Sequence, residues 1–192
     1  VDAMCGSGTI VMEAASMAIN KAPNLDRSYF CFKNWKNYDK TLFNDICTEL
    51  ELKISDFEYK IIGSDNNKKA VFIAQNNIKK AGFSKLIEIR ETSIQKMIPP
   101  MGRGTLIINP PYGERMEAYQ IDLLYKQIGD AFKQHFTGYT CGIISNNFEG
   151  LKNIGLKPMK KYPVINGKLE CVFYLYEMYE GTKRKQKEVV SE

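Results

Sequence analysis

The apolar positions of this chain fall into two alternating periods. A short apolar start, Val1-Asp2-Ala3-Met4, reads as the end of a strand and runs into Cys5-Gly6-Ser7-Gly8-Thr9. Ile10, Val11, Ala14, Ala15 and Ala18 then keep one helical face apolar. Phe43, Ile46, Leu50 and Ile54 recur at helical spacing, with Asp39 or Thr41 as the cap. Tyr59 to Asp65 reads as a buried strand that ends in an acid. Ala70, Val71, Ala74, Ile78 and Ala81 stripe the next helix, and Gly82 is placed to stop it. Leu86 to Arg90 and Thr105 to Ile108 are short strands, and the second enters Asn109-Pro110-Pro111-Tyr112-Gly113. A helix stripe over Ile121, Leu124, Ile128, Phe132 and Phe136 precedes a strand at Cys141 to Ile144. Asn166-Gly167 is a hairpin signal between strands at about 156–163 and 169–177.

Strands that alternate with helices predict an α/β fold, a mostly parallel sheet covered on both faces and closed by an antiparallel hairpin. Residues 1–180 read as one domain. Within it, about 21–58 are less regular and read as an insertion, and 181–192 as a polar tail. Phe30, Phe32 and Trp35 have the residue types to stack on bases, but the expectation is that they bury the insertion against the domain.

Composition narrows the functional classes. With 10 Phe and 11 Tyr the chain has material for a core, which excludes disorder over most of its length. No apolar run is long enough to span a bilayer, and no leader is visible. The chain does not begin with Met, and it reads as a piece of a longer protein. The net charge of +5 permits a nucleic-acid partner without demanding one. Its five cysteines are scattered, with no Cys-x-x-Cys pair, so neither a zinc site nor a disulfide framework is expected, and the reducing cytosol is the simplest compartment. His135, expected to serve only as the end of a helix, is the sole histidine, which excludes any two-histidine mechanism. No metal is expected.

The glycine turn at Cys5–Thr9 joins a strand to a helix. Glycine there permits a tight turn and close approach of a ligand, and the helix start offers free N–H groups. Val11 stands where the dinucleotide fingerprint needs a small residue, and no Gly-Lys-Ser/Thr follows, so two common nucleotide readings fail. Asp65, at the end of the next strand, is placed to meet ribose hydroxyls. Capping of the following helix by Asp65-Asn66 is the competing role. The separation of 57 residues from Gly8 exceeds the usual ~20, which the insertion explains.

Asn109-Pro110-Pro111-Tyr112 is the sharpest signal. The double proline stiffens the turn, so that the Asn109 side-chain oxygen and the Pro110 carbonyl are presented beside the Tyr112 ring. Two acceptors and an aromatic face make a receptor for a flat –NH₂ group.

Taken in order on an α/β pattern, these segments resemble Rossmann-like methyltransferases that use S-adenosylmethionine on exocyclic amines. Asp2-Ala3-Met4-Cys5-Gly6-Ser7-Gly8-Thr9, Gly63-Ser64-Asp65, Asn109-Pro110-Pro111-Tyr112-Gly113-Glu114-Arg115 and Asn166-Gly167-Lys168-Leu169-Glu170-Cys171 are similar to the catalytic domain of the THUMP-containing RNA guanine-N2 methyltransferases, with the ribosomal RNA large-subunit branch nearest. The resemblance covers residues 1 to about 178.

It implies a Rossmann-like fold and transfer of methyl from S-adenosylmethionine to the N2 amine of guanine in RNA, with large-subunit ribosomal RNA as substrate and an upstream THUMP region as partner. It further implies cofactor contacts at Asp2, Cys5, Gly6, Ser7, Gly8, Thr9, Asp65, Asn66 and Ser93. The catalytic set is Asn109, Pro110, Pro111 and Tyr112, in which Asn109 and Pro110 orient the amine and Tyr112 stacks on the flipped base. Two positions depart from the family pattern. Ala3 replaces a usual proline, and Ser93 stands where an acid usually meets the adenine amine, with Glu91 as the possible substitute. Arg115 is expected near RNA or bracing its loop, or as half of a solvated pair with Glu114. Lys183, Arg184, Lys185 and Lys187 read as a solvated terminus. Two other functions stay open: an adenine-N6 methyltransferase on DNA or RNA, and a non-catalytic RNA-binding or assembly module.

Overall fold

The computed structural model describes residues 1–112 and 117–181. Six strands, β1 (Ile61–Asp65), β2 (Ile87–Glu91), β3 (Gly104–Ile108), β4 (Tyr139–Ser145), β5 (Lys160–Asn166) and β6 (Leu169–Glu177), alternate with helices α1 (Thr9–Ala18), α2 (Lys40–Leu52), α3 (Lys68–Lys80), α4 (Ala118–His135) and α5 (Phe148–Lys152). β1 pairs with β2 in parallel, and β3 with β4 in parallel. β6 runs antiparallel to both β4 and β5.

The first two residues join these sets. The Asp2 N–H donates to the Ile62 carbonyl at 2.8 Å, and the Ser64 N–H to the Asp2 carbonyl at 2.7 Å. On the other side the Val1 amine donates to the Thr105 carbonyl at 2.8 Å, and the Ile107 N–H to the Val1 carbonyl at 2.9 Å. The order across the molecule is therefore β2, β1, Val1–Asp2, β3, β4, β6, β5. The strand read at residues 1–4 is a single rung, bridging to Gly63.

Side chains alternate across the sheet. Ile62 enters a core with Leu106, Ile108, Ile143 and the α4 residues Ile121, Tyr125, Ile128 and Phe132. Its neighbour Ile61 packs instead against the opposite core of Val11, Ala15, Ala74, Ile78 and Ile87. Helices thus cover both faces, as the parallel pattern requires. Burial of side chains such as Ile128 and Phe132 stabilises the fold by about 1.5–3 kcal/mol each.

Several expectations need correction. α5, capped by Asn147, lies where the apolar pattern predicts no helix, and β5 begins at Lys160 rather than near 156. As an edge strand β5 buries no residue and accommodates Pro163, so no apolar alternation marks its start. Asp39, one of the two expected caps, does cap α2 by accepting the Leu42 N–H at 2.9 Å. α2 itself buries nothing. Phe30, Phe32, Tyr38 and Phe43 pack on one another at centroid separations of 5.0–6.0 Å, and Trp35 is 67% exposed. These rings form their own cluster and do not bury the segment against either core.

Candidate functional site

Two chain turns and one loop meet at the carboxyl edge of β1 and β3. The first turn, between the Val1–Asp2 rung and α1, places Gly6 at φ 52° and Gly8 at φ 87°, both in the left-handed region that glycine adopts without strain. The two glycines do different work. A Cβ on Gly6 would meet nothing within 4 Å, whereas one on Gly8 would sit 3.4 Å from the Ala74 Cβ. Gly8 lets α1 pack on α3, and Gly6 leaves room beside the turn.

Asp65 closes β1 next to that turn. Its Oδ2 accepts the Gly6 N–H at 3.0 Å and its Oδ1 accepts the Asn67 N–H at 2.9 Å. The helix cap is Asn67, whose side chain accepts from Lys69 and Ala70, so neither Asp65 nor Asn66 fills that role.

A cleft of about 540 Å³ opens here. Gly6, Asp65, Asn66, Ser93, Asn109 and Pro111 all line it. Six of the expected site residues from four separate segments therefore share one cavity. Ser93 rather than Glu91 faces it.

The other expected residues lie elsewhere. Asp2 is buried beneath the turn at 1% exposure, where its Oδ1 accepts the Met4 N–H at 3.1 Å and its Oδ2 has no partner. Burial pushes its carboxyl up to about 7. Cys5 is buried too, and burial pushes its thiol up to about 12. Ser7 and Thr9 are exposed, their hydroxyls 3.2 Å apart, and the Ser7 carbonyl accepts from the Asn77 side chain on α3. Asp2, Cys5, Ser7, Gly8, Thr9, Pro110 and Tyr112 do not line the cleft. Arg115, Glu114 and the tail cations lie outside the described residues.

Some lining residues escaped the sequence reading. Gln95 donates its Nε2 to Gln127 Oε1 at 2.6 Å, and both face the cleft together with Leu124 and Ile94. Gln127 follows Leu124 by three positions, so it shares the helix face that carries the apolar stripe; a polar residue on that face was the available signal. His135 does more than end α4, since its Nε2 lies 3.0 Å from the Gln95 carbonyl oxygen.

The Asn109–Tyr112 turn is held from behind. The Tyr112 carbonyl accepts from Asn147 Nδ2 at 3.4 Å, and the Asn147 N–H donates to Ser145 Oγ at 2.8 Å. Ser145 Oγ lies 2.5 Å from the hydroxyl of Tyr125, a fully buried side chain. The turn is thereby tied to the core through Asn147, Ser145 and Tyr125. Tyr112 is half-buried, and its hydroxyl meets Asn166 Nδ2 at 3.1 Å. Burial is the main cause that raises the Tyr112 hydroxyl above its ordinary range.

The family model of the RMKL-like methyltransferase domain matches residues 1–174. The chain belongs to that family. The ribosomal RNA large subunit methyltransferase K/L of Shewanella sp. (strain W3-18-1) is 37% identical over 197 residues, which take in 100% of this chain and 28% of that protein. This methyltransferase domain thus spans just over a quarter of the length of that curated relative. Among solved structures, SMU.472, a putative methyltransferase complexed with SAH, superposes with a TM-score of 0.87 at 30% identity, over 94% of this chain and 48% of that one. A predicted N6-adenine-specific DNA methylase from Listeria monocytogenes superposes with a TM-score of 0.81 at 29% identity, over 92% and 46%. No helix among the described residues is long and apolar enough to cross a membrane.

Proposed function

We propose that this domain transfers a methyl group from S-adenosylmethionine to the exocyclic N2 amine of guanine in RNA, with large-subunit ribosomal RNA as the substrate. The observation that carries this reading is the shared cleft, which Gly6, Asp65 and Ser93 line together with Asn109 and Pro111. A cofactor held by the first set and a base held by the second would meet in one cavity.

The residues fit the cofactor. The volume of about 540 Å³ lies within the ~300–1,000 Å³ of ordinary ligand sites. Each Asp65 oxygen accepts one N–H, which leaves lone pairs free for two ribose hydroxyls. Ser93, in place of the family's usual acid, lines the cleft, as does Asn66 next to Asp65. When bound, S-adenosylmethionine supplies an electrophilic methyl group.

The guanine N2 lone pair is delocalised into the ring, so the protein's task is orientation. Asn109 and the Pro110 carbonyl accept the amine protons and aim the lone pair. Asn109 does not titrate, and the product ammonium is acidic enough to lose its proton to water. Tyr112 stacks on the extruded base. We assign the capture of RNA in part to a THUMP region outside these residues, and the cytosol as the compartment.

Mass spectrometry of ribosomal RNA nucleosides from cells with and without the full-length gene tests the reading, with loss of N2-methylguanosine as the expected result. A second reading, adenine-N6 methylation, is favoured by the Listeria monocytogenes neighbour's description and by the turn's ability to receive any flat amine. Loss of N6-methyladenosine instead would select it. No change in any methylated nucleoside would favour a binding or assembly module.

A further inference from the structure

The hairpin that closes the sheet reaches the catalytic turn. The β5–β6 loop is Gly167–Lys168, with Asn166 paired to Leu169 at its base. Gly167 has φ 63°, in the first central position, where a type II′ turn places glycine. Asn166 therefore ends the strand instead of occupying the turn. From there its Nδ2 donates to the Tyr112 hydroxyl at 3.1 Å, across 54 residues of sequence.

We propose that Asn166 is a positioning residue for methyl transfer, holding the Tyr112 ring by its hydroxyl in the turn whose Asn109 and Pro111 line the cleft. The proposal rests on the methyltransferase reading above. It adds that the tyrosine hydroxyl, and not only its ring, serves the reaction.

Two further observations support it. The backbone of Tyr112 is held separately, by Asn147 at its carbonyl, so the side chain is the part of the turn that Asn166 governs. Asn109 and Cys171 also act on the Tyr112 hydroxyl, which places both side chains in its neighbourhood. The Asn109 side chain shares that hydroxyl as a neighbour, and the hydrogen bond that holds the hydroxyl comes from Asn166. A phenylalanine at position 112 keeps the stacking face and loses this arrangement.

The test is a double-mutant cycle in the full-length protein, with methyl transfer to unmodified large-subunit ribosomal RNA as the assay. Asn166→Ala and Tyr112→Phe should each lower kcat by about tenfold, the effect of one lost hydrogen bond of this kind. The affinity for S-adenosylmethionine and the KM for RNA should stay within about twofold, on the same scale of one contact. The double variant should be no slower than either single one. Additive losses, or an unaffected Asn166→Ala, would overturn the proposal by showing that Asn166 serves only its hairpin. A readout independent of catalysis is the Asn166 side-chain amide resonance in the unliganded protein, which should move on Tyr112→Phe. An unmoved resonance refutes the contact whether or not the enzyme methylates RNA. A wild-type product of N6-methyladenosine together with a non-additive cycle would overturn only the choice of guanine.

Discussion

The Gly6 N–H donates to the Asp65 carboxylate at 3.0 Å, which joins the glycine turn to the end of β1 across 59 residues. The acid proposed to meet the ribose thus also shapes the turn beside it. One carboxylate can do both, since each oxygen accepts more than one hydrogen bond.

Asp65→Ala should weaken S-adenosylmethionine binding by roughly 10- to 100-fold, the range for lost hydrogen bonds to a charged group. Isothermal titration of the two proteins is the measurement, and equal affinities would remove Asp65 from the cofactor site.

Asn109→Ala should lower kcat by on the order of 10²-fold while cofactor affinity is unchanged. In the proposed role its oxygen acts on the amine as charge develops there, so the loss would belong to turnover and not to ground-state binding. The assay is methyl transfer with identification of the product nucleoside. Formation of N2-methylguanosine at the wild-type rate would end the amine-positioning role.

Asp2 makes stability depend on pH. Burial raises its carboxyl from 3.8 to about 7, so the folded state holds this proton more tightly than the unfolded chain. The stabilisation is complete below the unfolded value and is lost as pH rises through the folded one. The slope is at most about 1.4 kcal/mol per pH unit within that window. Asp2→Asn cannot ionise and lacks this slope. Urea unfolding at pH 5 and pH 8 should show the variant gaining on the wild type at the higher pH; a difference that is the same at both would refute the assignment.

Gly129 on α4 lies against the turn after α5. A Cβ there would sit 2.0 Å from the Ile154 carbonyl oxygen, a backbone atom that cannot rotate aside. Gly129→Ala should destabilise the domain by about 1–3 kcal/mol, as overpacking does. A lowered urea midpoint with an unchanged slope is the expected observation.

Methyl transfer should continue after chelation of divalent ions. The chain has one histidine and no Cys-x-x-Cys pair to make a metal site of the usual soft donors. Activity lost with EDTA and restored by one divalent ion alone, on RNA whose fold is unaffected, would contradict this.

The sequence alone determined the features that local physics controls. The stripe Ile121, Ile128, Phe132 marks α4 because a helix repeats its face every 3.6 residues. Asp65 marks the end of β1 because an apolar run stops there. The stiffness of Asn109–Tyr112 is covalent, set by two proline rings. Tertiary structure decided what these features meet. Val1–Asp2 is the rung that joins β1 to β3, yet two residues carry no period. Gly6 and Gly8 look alike in sequence, but one opens onto free space and the other onto Ala74, a difference made by α3. Gln95 and Gln127 become neighbours only when α4 lies beside the loop after β2. Asn166 signals a turn by its type, but its hydrogen bond to Tyr112 requires the hairpin to fold back to the sheet's carboxyl edge. Periodicity records which face of an element is buried; it holds no information about which distant chain segment will lie against that face.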